Sequence, residues 1–242
     1  MGGLGNQLFQ IFATVSYSIK SGNQYLFLNT KFTPGCTQRH TYWDTILYKL
    51  NSSLYEQHNI PQVTLIEEQG FPFNDFSIEL FKNKDTCLHG YFQSEKYFKN
   101  NYSQIYHLLD IDNQKEQVIE LYKNTNESKT TIKLDNTISI HFRLGDYKKL
   151  QHFHPIMQYD YYKNSLLFIQ DKDMDITGIL FFCEDDDIND VMETINKLKI
   201  ALPNMHFIRA SNLLKDWEQL LLMSCCKHNI IANSSYSWWA HI

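Results

Sequence analysis

Residues 137–147, Thr137-Ile138-Ser139-Ile140-His141-Phe142-Arg143-Leu144-Gly145-Asp146-Tyr147, read as a strand that ends in reactive groups. Ile138, Ile140 and Phe142 fall on one face of an extended chain, and His141 and Arg143 share the other. Gly145 then permits a sharp turn before Asp146. The pattern sets an imidazole, a guanidinium and a carboxylate at the carboxyl end of a strand, where open α/β sheets bind ligands. A guanidinium presented there suits a pair of phosphate oxygens. The same residues also fit an ion pair between Arg143 and Asp146 on an edge strand. The segment alone leaves both readings open.

Downstream of this strand the pattern is regular. A helix is expected around Asp160–Gln170, a strand over Gly178–Cys183, and then an acidic turn, Glu184-Asp185-Asp186-Asp187. Ile188, Val191, Ile195 and Leu198 mark one side of the next helix. Strand Met205–Ile208, helix Leu213–Cys226 and strand Asn229–Ala232 complete the series. Strand–helix alternation of this kind predicts a parallel, doubly wound sheet, so the C-terminal half reads as Rossmann-like.

Upstream, Gly2-Gly3-Leu4-Gly5-Asn6-Gln7 reads as a glycine turn entering a helix. Leu8, Phe9, Phe12, Val15 and Ile19 mark that helix's apolar face, and Gly22 is its expected C-cap. Tyr25–Leu28 reads as a strand. From about 30 to 130 the chain is aromatic-rich and irregular, with Asn124–Thr131 the expected linker. The opening looks like a loop that should follow a strand, and the end, Ser237-Trp238-Trp239-Ala240-His241-Ile242, stops inside what looks like a helix. The expectation is a chain lacking pieces at both ends.

At 242 residues, with 43% hydrophobic and 14% aromatic content, the chain can bury real cores. A net charge of −5 leaves no global basic field for nucleic acid or anionic lipid, so any site for a polyanion must be local. Cys36, Cys87, Cys183, Cys225 and Cys226 have neither disulfide-scaffold nor zinc spacing, which suits reduced thiols in a cytosol-like compartment. No run is apolar enough for a spanning helix, and the amino terminus does not read as a signal peptide.

Four segments compete for a chemical role. Glycines before a helix allow close approach to an anion, but Gly2–Gln7 lacks both the dinucleotide fingerprint and a Walker lysine, and a plain tight turn fits as well. Asn233-Ser234-Ser235-Tyr236-Ser237-Trp238-Trp239 offers hydroxyls and amides at a helix start, which suit a phosphate or ordinary capping over packed tryptophans. The acidic run 184–187 could hold a metal bound to a diphosphate, yet capping of the following helix is the simpler account. Gly90-Tyr91-Phe92-Gln93-Ser94-Glu95-Lys96-Tyr97-Phe98 suits stacking on a sugar or half-buried packing. His152 and His154 lie in a loop and carry no local signature.

Taken in order, Gly-Gly-Leu-Gly-Asn-Gln (2–7), His-Phe-Arg-Leu-Gly-Asp-Tyr (141–147) and Cys-Lys-His-Asn-Ile-Ile-Ala-Asn-Ser-Ser-Tyr-Ser-Trp-Trp (226–239) resemble the α-1,2-fucosyltransferases of glycosyltransferase family 11. Residues 90–98, His154 and Tyr161-Tyr162 are similar to that family too. The resemblance implies a GT-B-type α/β fold: an acceptor-side Rossmann-like lobe over 1–133, a GDP-sugar-binding Rossmann-like lobe over 134–242, and an active site in the cleft between them. It implies transfer of L-fucose from GDP-β-L-fucose, with inversion and without a metal or other cofactor, to the 2-hydroxyl of a galactose-type glycan acceptor. Arg143 would clamp the diphosphate. Ser234, Ser235, Tyr236 and His141 would hold the donor with it, and Gly3, Gly5 and Asn6 would approach from the amino-terminal side. Asp146 is the first candidate base, although it could instead orient Arg143 or bind fucose. His154 is the second. The expected setting is cytoplasmic, with peripheral membrane association left open and no nucleic-acid partner.

The chain also departs from that family. The strand before the glycine loop and the continuation past Trp238-Trp239 are missing, the usual Ser-Asp-Asp turn is Cys183-Glu184-Asp185-Asp186-Asp187, and the acidic residue usual near Gln219 is absent. A second reading is therefore an inactive fragment or pseudoenzyme that binds GDP-sugar or glycan without turnover. A third is a metal-dependent glycosyltransferase of the other fold type, using the acidic run.

Overall fold

The computed structural model describes residues 2–33, 38–56, 63–70, 72–82, 84–125 and 133–241. Cys36 and residues 126–131 of the expected linker lie outside them. The chain divides into two compact units, Met1–Asn113 and Gln114–Ile242, whereas the sequence reading drew its boundary at 133/134.

The first unit begins with α1 (Leu4–Ser21), followed by β1 (Phe27–Leu28), β2 (Phe32–Thr33), β3 (Arg39–His40), β4 (Leu54–Tyr55), β5 (Thr64–Glu67), β6 (Thr86–His89) and α2 (Tyr102–Leu108). Helix α3 (Ile111–Thr125) carries the chain across the division. Strands β1–β4 and β5–β6 are parallel pairs and β2–β3 is antiparallel. Among the described residues these pairs form separate sheets, so the single Rossmann-like sheet expected for this part is not seen there.

Helix α1 organises this unit. Leu8, Phe9, Phe12 and Val15 are buried as the period predicts, but so are Ile11, Ala13 and Tyr17. The burial therefore wraps further round the helix than one stripe. Phe9 and Phe12 meet Phe98 at ring separations of 6.0 and 5.3 Å, and Tyr17 stacks on Phe81 at 4.8 Å. The helix stops at Gly22, whose φ of +73° is the left-handed C-cap position that glycine fills without strain. Within residues 90–98, Phe92, Tyr97 and Phe98 pack inward while Tyr91, Gln93, Glu95 and Lys96 are exposed. Glu68 accepts the backbone N–H groups of Tyr91 and Phe92, each at 2.8 Å, and the Tyr97 hydroxyl at 3.1 Å. Tyr97 and Phe98 are buried, and desolvation pushes the Tyr97 hydroxyl up to about 12.

The second unit follows the predicted alternation closely. It contains β7 (Thr137–His141), α4 (Tyr159–Lys172), β8 (Gly178–Phe182), α5 (Ile188–Ala201), β9 (His206–Arg209), α6 (Asp216–Ser224), β10 (His228–Ile230) and α7 (Ser235–Trp238). The strands form one parallel sheet in the order β10-β7-β8-β9, with Ile138 beside both Ile179 and His228. Every residue of β7 and β8 is buried, as expected of parallel strands covered on both faces. β7 is thus an interior strand, which corrects the edge-strand reading. Ile138, Ile140 and Phe142 pack into one core with Tyr162 and Leu166 of α4 and Val191, Ile195 and Leu198 of α5. Ser139 and His141 take the opposite face. Helix α6 is shorter than expected because Glu218 reaches back to the Lys215 N–H at 2.6 Å and fixes its start.

Ile195 is fully buried at the centre of that core. Ile195→Ala is expected to destabilise the protein by about 2–5 kcal/mol, read as a lower denaturant midpoint with an unchanged slope.

Candidate functional site at the ends of β7 and β10

The order β10-β7-β8-β9 contains one reversal. The chain steps from β7 outward to β8 and β9, then returns to lay β10 on the other side of β7. β7 and β10 therefore meet at the switch point of the sheet, and open α/β sheets bind ligands at the carboxyl ends of the strands there. His141 and Arg143 project from the end of β7, and the turn into α7 follows β10.

His141 is 8% exposed, its ring lies 5.2 Å from that of Tyr236, and its carbonyl accepts the Tyr162 hydroxyl at 3.3 Å. Its Nδ1 is buried with no hydrogen-bond partner among the described residues. Desolvation, and then the neighbouring Arg143 charge, lower its pKa to about 3, so the imidazole is neutral.

Arg143 meets two carboxylates. It pairs with Asp146 at 2.6 Å and with Glu184, and its guanidinium lies 5.1 Å from the centre of the Tyr147 ring. Tyr147 in turn stacks on the exposed His154 ring at 4.7 Å. The Arg143–Asp146 ion pair is therefore present, and it takes up one side of a fork that could otherwise face a ligand. Gly145, at φ +32°, lets the loop turn so closely past Glu184 that a Cβ there would sit 3.0 Å from its carboxylate.

Three of the four members of the acidic turn after β8, Glu184, Asp185 and Asp187, are engaged in contacts that the sequence does not announce. Glu184 holds Arg143, and Asp185 pairs with Arg209. Asp187 sits at the N-cap position of α5, yet its carboxylate does not cap that helix. It is buried and accepts the Gly145 N–H at 2.7 Å and the Lys148 ammonium at 2.7 Å. Hydrogen bonds to Asp187 and then Asp190 hold Lys148 above its ordinary pKa. This corrects the capping account of Asp187. The sequence showed carboxylates ahead of a helix and a glycine after a strand, but not that the two turns would meet.

Ser234 opens α7 in extended conformation, and its hydroxyl accepts the Tyr236 N–H at 3.2 Å. The capping role is thus present. Ser235 begins the helix, and the Tyr236 hydroxyl donates to the Asp216 carbonyl at 2.6 Å. Trp239 is fully buried, as the packing reading required. The buried Ser237 hydroxyl ties the turn back to the Ala232 N–H at 3.2 Å.

In the first unit, Gly3 is the N-cap of α1, and Gly5 and Asn6 already lie in its first turn instead of in an open loop. That turn contains no acidic residue. The Asn6 side-chain carbonyl accepts from Gln93 at 2.7 Å, and Gln7 donates to the carbonyls of Gly2 and His40 at 3.0 and 2.9 Å.

The family model described as Glycosyl transferase family 11 matches residues 39–242. The chain belongs to glycosyltransferase family 11. It is similar to the O-antigen biosynthesis glycosyltransferase WbnK of Escherichia coli, with 28% identity over an alignment of length 271 that takes in 98% of this chain and 86% of that protein. It is also similar to an α-1,2-colitosyltransferase of Escherichia coli, with 27% identity over 153 residues, 62% of this chain and 48% of that protein. No solved structure matches it at the same stringency. This family 11 glycosyltransferase has, among its described residues, no helix long and apolar enough to cross a membrane.

The buried imidazole has a measurable consequence. In the folded state His141 takes up a proton only near pH 3, while the unfolded chain takes it up near 6.5. Between these values the unfolded state binds more protons, so this residue's contribution to stability is lost as pH falls. His141→Phe is expected to flatten the fall in Tm across that acid range, measured by thermal denaturation of both proteins at matched pH.

Proposed function

We propose that this glycosyltransferase moves L-fucose from GDP-β-L-fucose to the 2-hydroxyl of a galactose-type glycan acceptor, with inversion and without a metal. The observation that carries the reading is the Arg143 guanidinium at the switch point of a family 11 chain, next to the neutral His141, whose ring in turn faces Tyr236. The proposed architecture is GT-B, with the first unit as the acceptor-side lobe and its Gly3, Gly5 and Asn6 meeting the GDP-fucose donor. The proposed setting is cytoplasmic, with peripheral contact to a membrane left open.

The reaction is a single displacement. The acceptor oxygen bonds to the anomeric carbon from the face opposite the diphosphate, the bond to the β-phosphate oxygen breaks, and the acceptor proton goes to the base, the Asp146 carboxylate or the His154 imidazole. Negative charge grows on the departing GDP while the sugar gains oxocarbenium character. A fixed cation that meets this charge more strongly in the transition state than in the ground state lowers the barrier. Arg143 fits that role, because a fork that pairs with two carboxylates offers the same planar donors to phosphate oxygens. Neutral His141 can share a hydrogen bond with the donor without adding charge. Asp146 serves as base or as the group that aims Arg143, and His154, layered on Tyr147, is the alternative base.

A donor carrying a colitosyl group is the second reading, favoured by the named activity of one relative. Competition between the two GDP-sugars for one acceptor separates the readings.

With GDP-fucose and a galactose-terminated oligosaccharide, Arg143→Ala is expected to lower transfer by about a hundredfold or more and to weaken GDP binding. EDTA should leave the wild-type rate unchanged. Equal activity in both proteins would remove Arg143 from the mechanism. GDP binding by the wild type with no turnover on any acceptor would support the inactive-fragment reading.

A further inference from the structure

We infer that Asp187 is the positioning residue of the donor site: through Gly145 and Lys148 it holds the loop that presents Arg143 and Asp146. This rests on the donor reading above. Beyond the Phe142 N–H bond to the Phe182 carbonyl the loop leaves the sheet, and its shape is fixed by a 3-10 turn over Gly145–Lys149 together with contacts from other elements. Two come from the turn after β8. Glu184 grips Arg143 itself, while Asp187 takes the Gly145 N–H on one oxygen and the Lys148 ammonium on the other, each at 2.7 Å.

The chemistry of these contacts differs. Glu184 is about half exposed, whereas the Asp187 side chain is 4% exposed. A carboxylate so buried is stable only while its partners stay in place, so it locks the segment that supplies them. Gly145 is also the residue at positive φ, and its lack of a side chain lets Glu184 lie alongside. Asp187 thus fixes the backbone at the bend between Arg143 and Asp146, while Glu184 fixes the cation. Asp190 adds a second contact to Lys148 at 2.6 Å and keeps that ammonium over the turn. The Asp187 contacts with Gly145 and Lys148 reach Arg143 and Asp146 through the loop backbone.

Asp187→Ala, Asp187→Asn, Lys148→Met and Asp185→Asn would be compared by GDP calorimetry, thermal denaturation, and amide hydrogen exchange over residues 144–149. Asp187→Ala is expected to weaken GDP binding by about tenfold and to accelerate exchange in the loop at least as much, since a charge-assisted acceptor is lost. Asp187→Asn, which keeps an acceptor for Gly145, should rescue most of both effects, with a residual loss of about threefold. Asp185→Asn, in the same turn but paired with Arg209, should change neither. If Asp187→Ala does not fold, Lys148→Met takes its place, with GDP binding expected to weaken by about threefold and loop exchange to rise. GDP affinity and loop exchange within twofold of wild type in the folded variants would overturn the proposal. So would a lower Tm with unchanged affinity. If the wild type binds no GDP, the donor reading fails, and loop exchange alone decides whether Asp187 positions the loop.

Discussion

Arg143 stands at the end of a strand whose five residues are all buried, and its charge is balanced by Asp146 from its own loop and Glu184 from the exit of the next strand. A guanidinium cannot lose its proton, so a site that shields it from water must supply anions. Here the protein supplies two of its own. The sheet order makes this meeting unavoidable. β7 and β8 are parallel neighbours, so both of their exits rise on the same side, and the loop after one lies against the turn after the other. The switch point between β7 and β10 thus lies beside a cation whose counter-charges come from two different turns.

The C-terminal half was legible because its signals agree. Ile138, Ile140 and Phe142 keep a period of two, Val191, Ile195 and Leu198 keep a helical period, and the structure buries both sets in one core. Its strand and helix boundaries shifted by only a few residues, where capping such as the Glu218 contact to Lys215 overrides the pattern. The interior placement of β7 could not be read locally. Whether a strand is flanked on one side or both depends on where the chain returns, and here β10 returns from 90 residues further on, as the pairing of Asn229 with Ser139 shows.

The first unit was legible only at α1, Gly22 and the strand at Phe27–Leu28. Its strands are two to four residues long, too short for any alternation to stand above chance, and its stability comes from aromatic contacts such as Tyr17 with Phe81 and Phe12 with Phe98. Such contacts have no sequence period. The same limit applies inside the candidate site. Arg143, Asp146, His141 and the 234–236 turn were visible as residue types at strand ends. The roles of Glu184 and Asp187 were not, because an acidic run before a helix is already explained by capping. Only the register of β7 against β8 reveals that these carboxylates face the neighbouring loop.

On the proposed reading, a nucleotide diphosphate binds at the carboxyl ends of β7 and β10 by taking Arg143 from its internal carboxylates. A crystal structure of the protein with GDP tests this directly. The account requires the β-phosphate within hydrogen-bond distance of Arg143, beside His141 and the 234–236 turn, with the Arg143–Glu184 contact lengthened or lost. GDP bound elsewhere, with Arg143 still closed on Asp146 and Glu184, would contradict it.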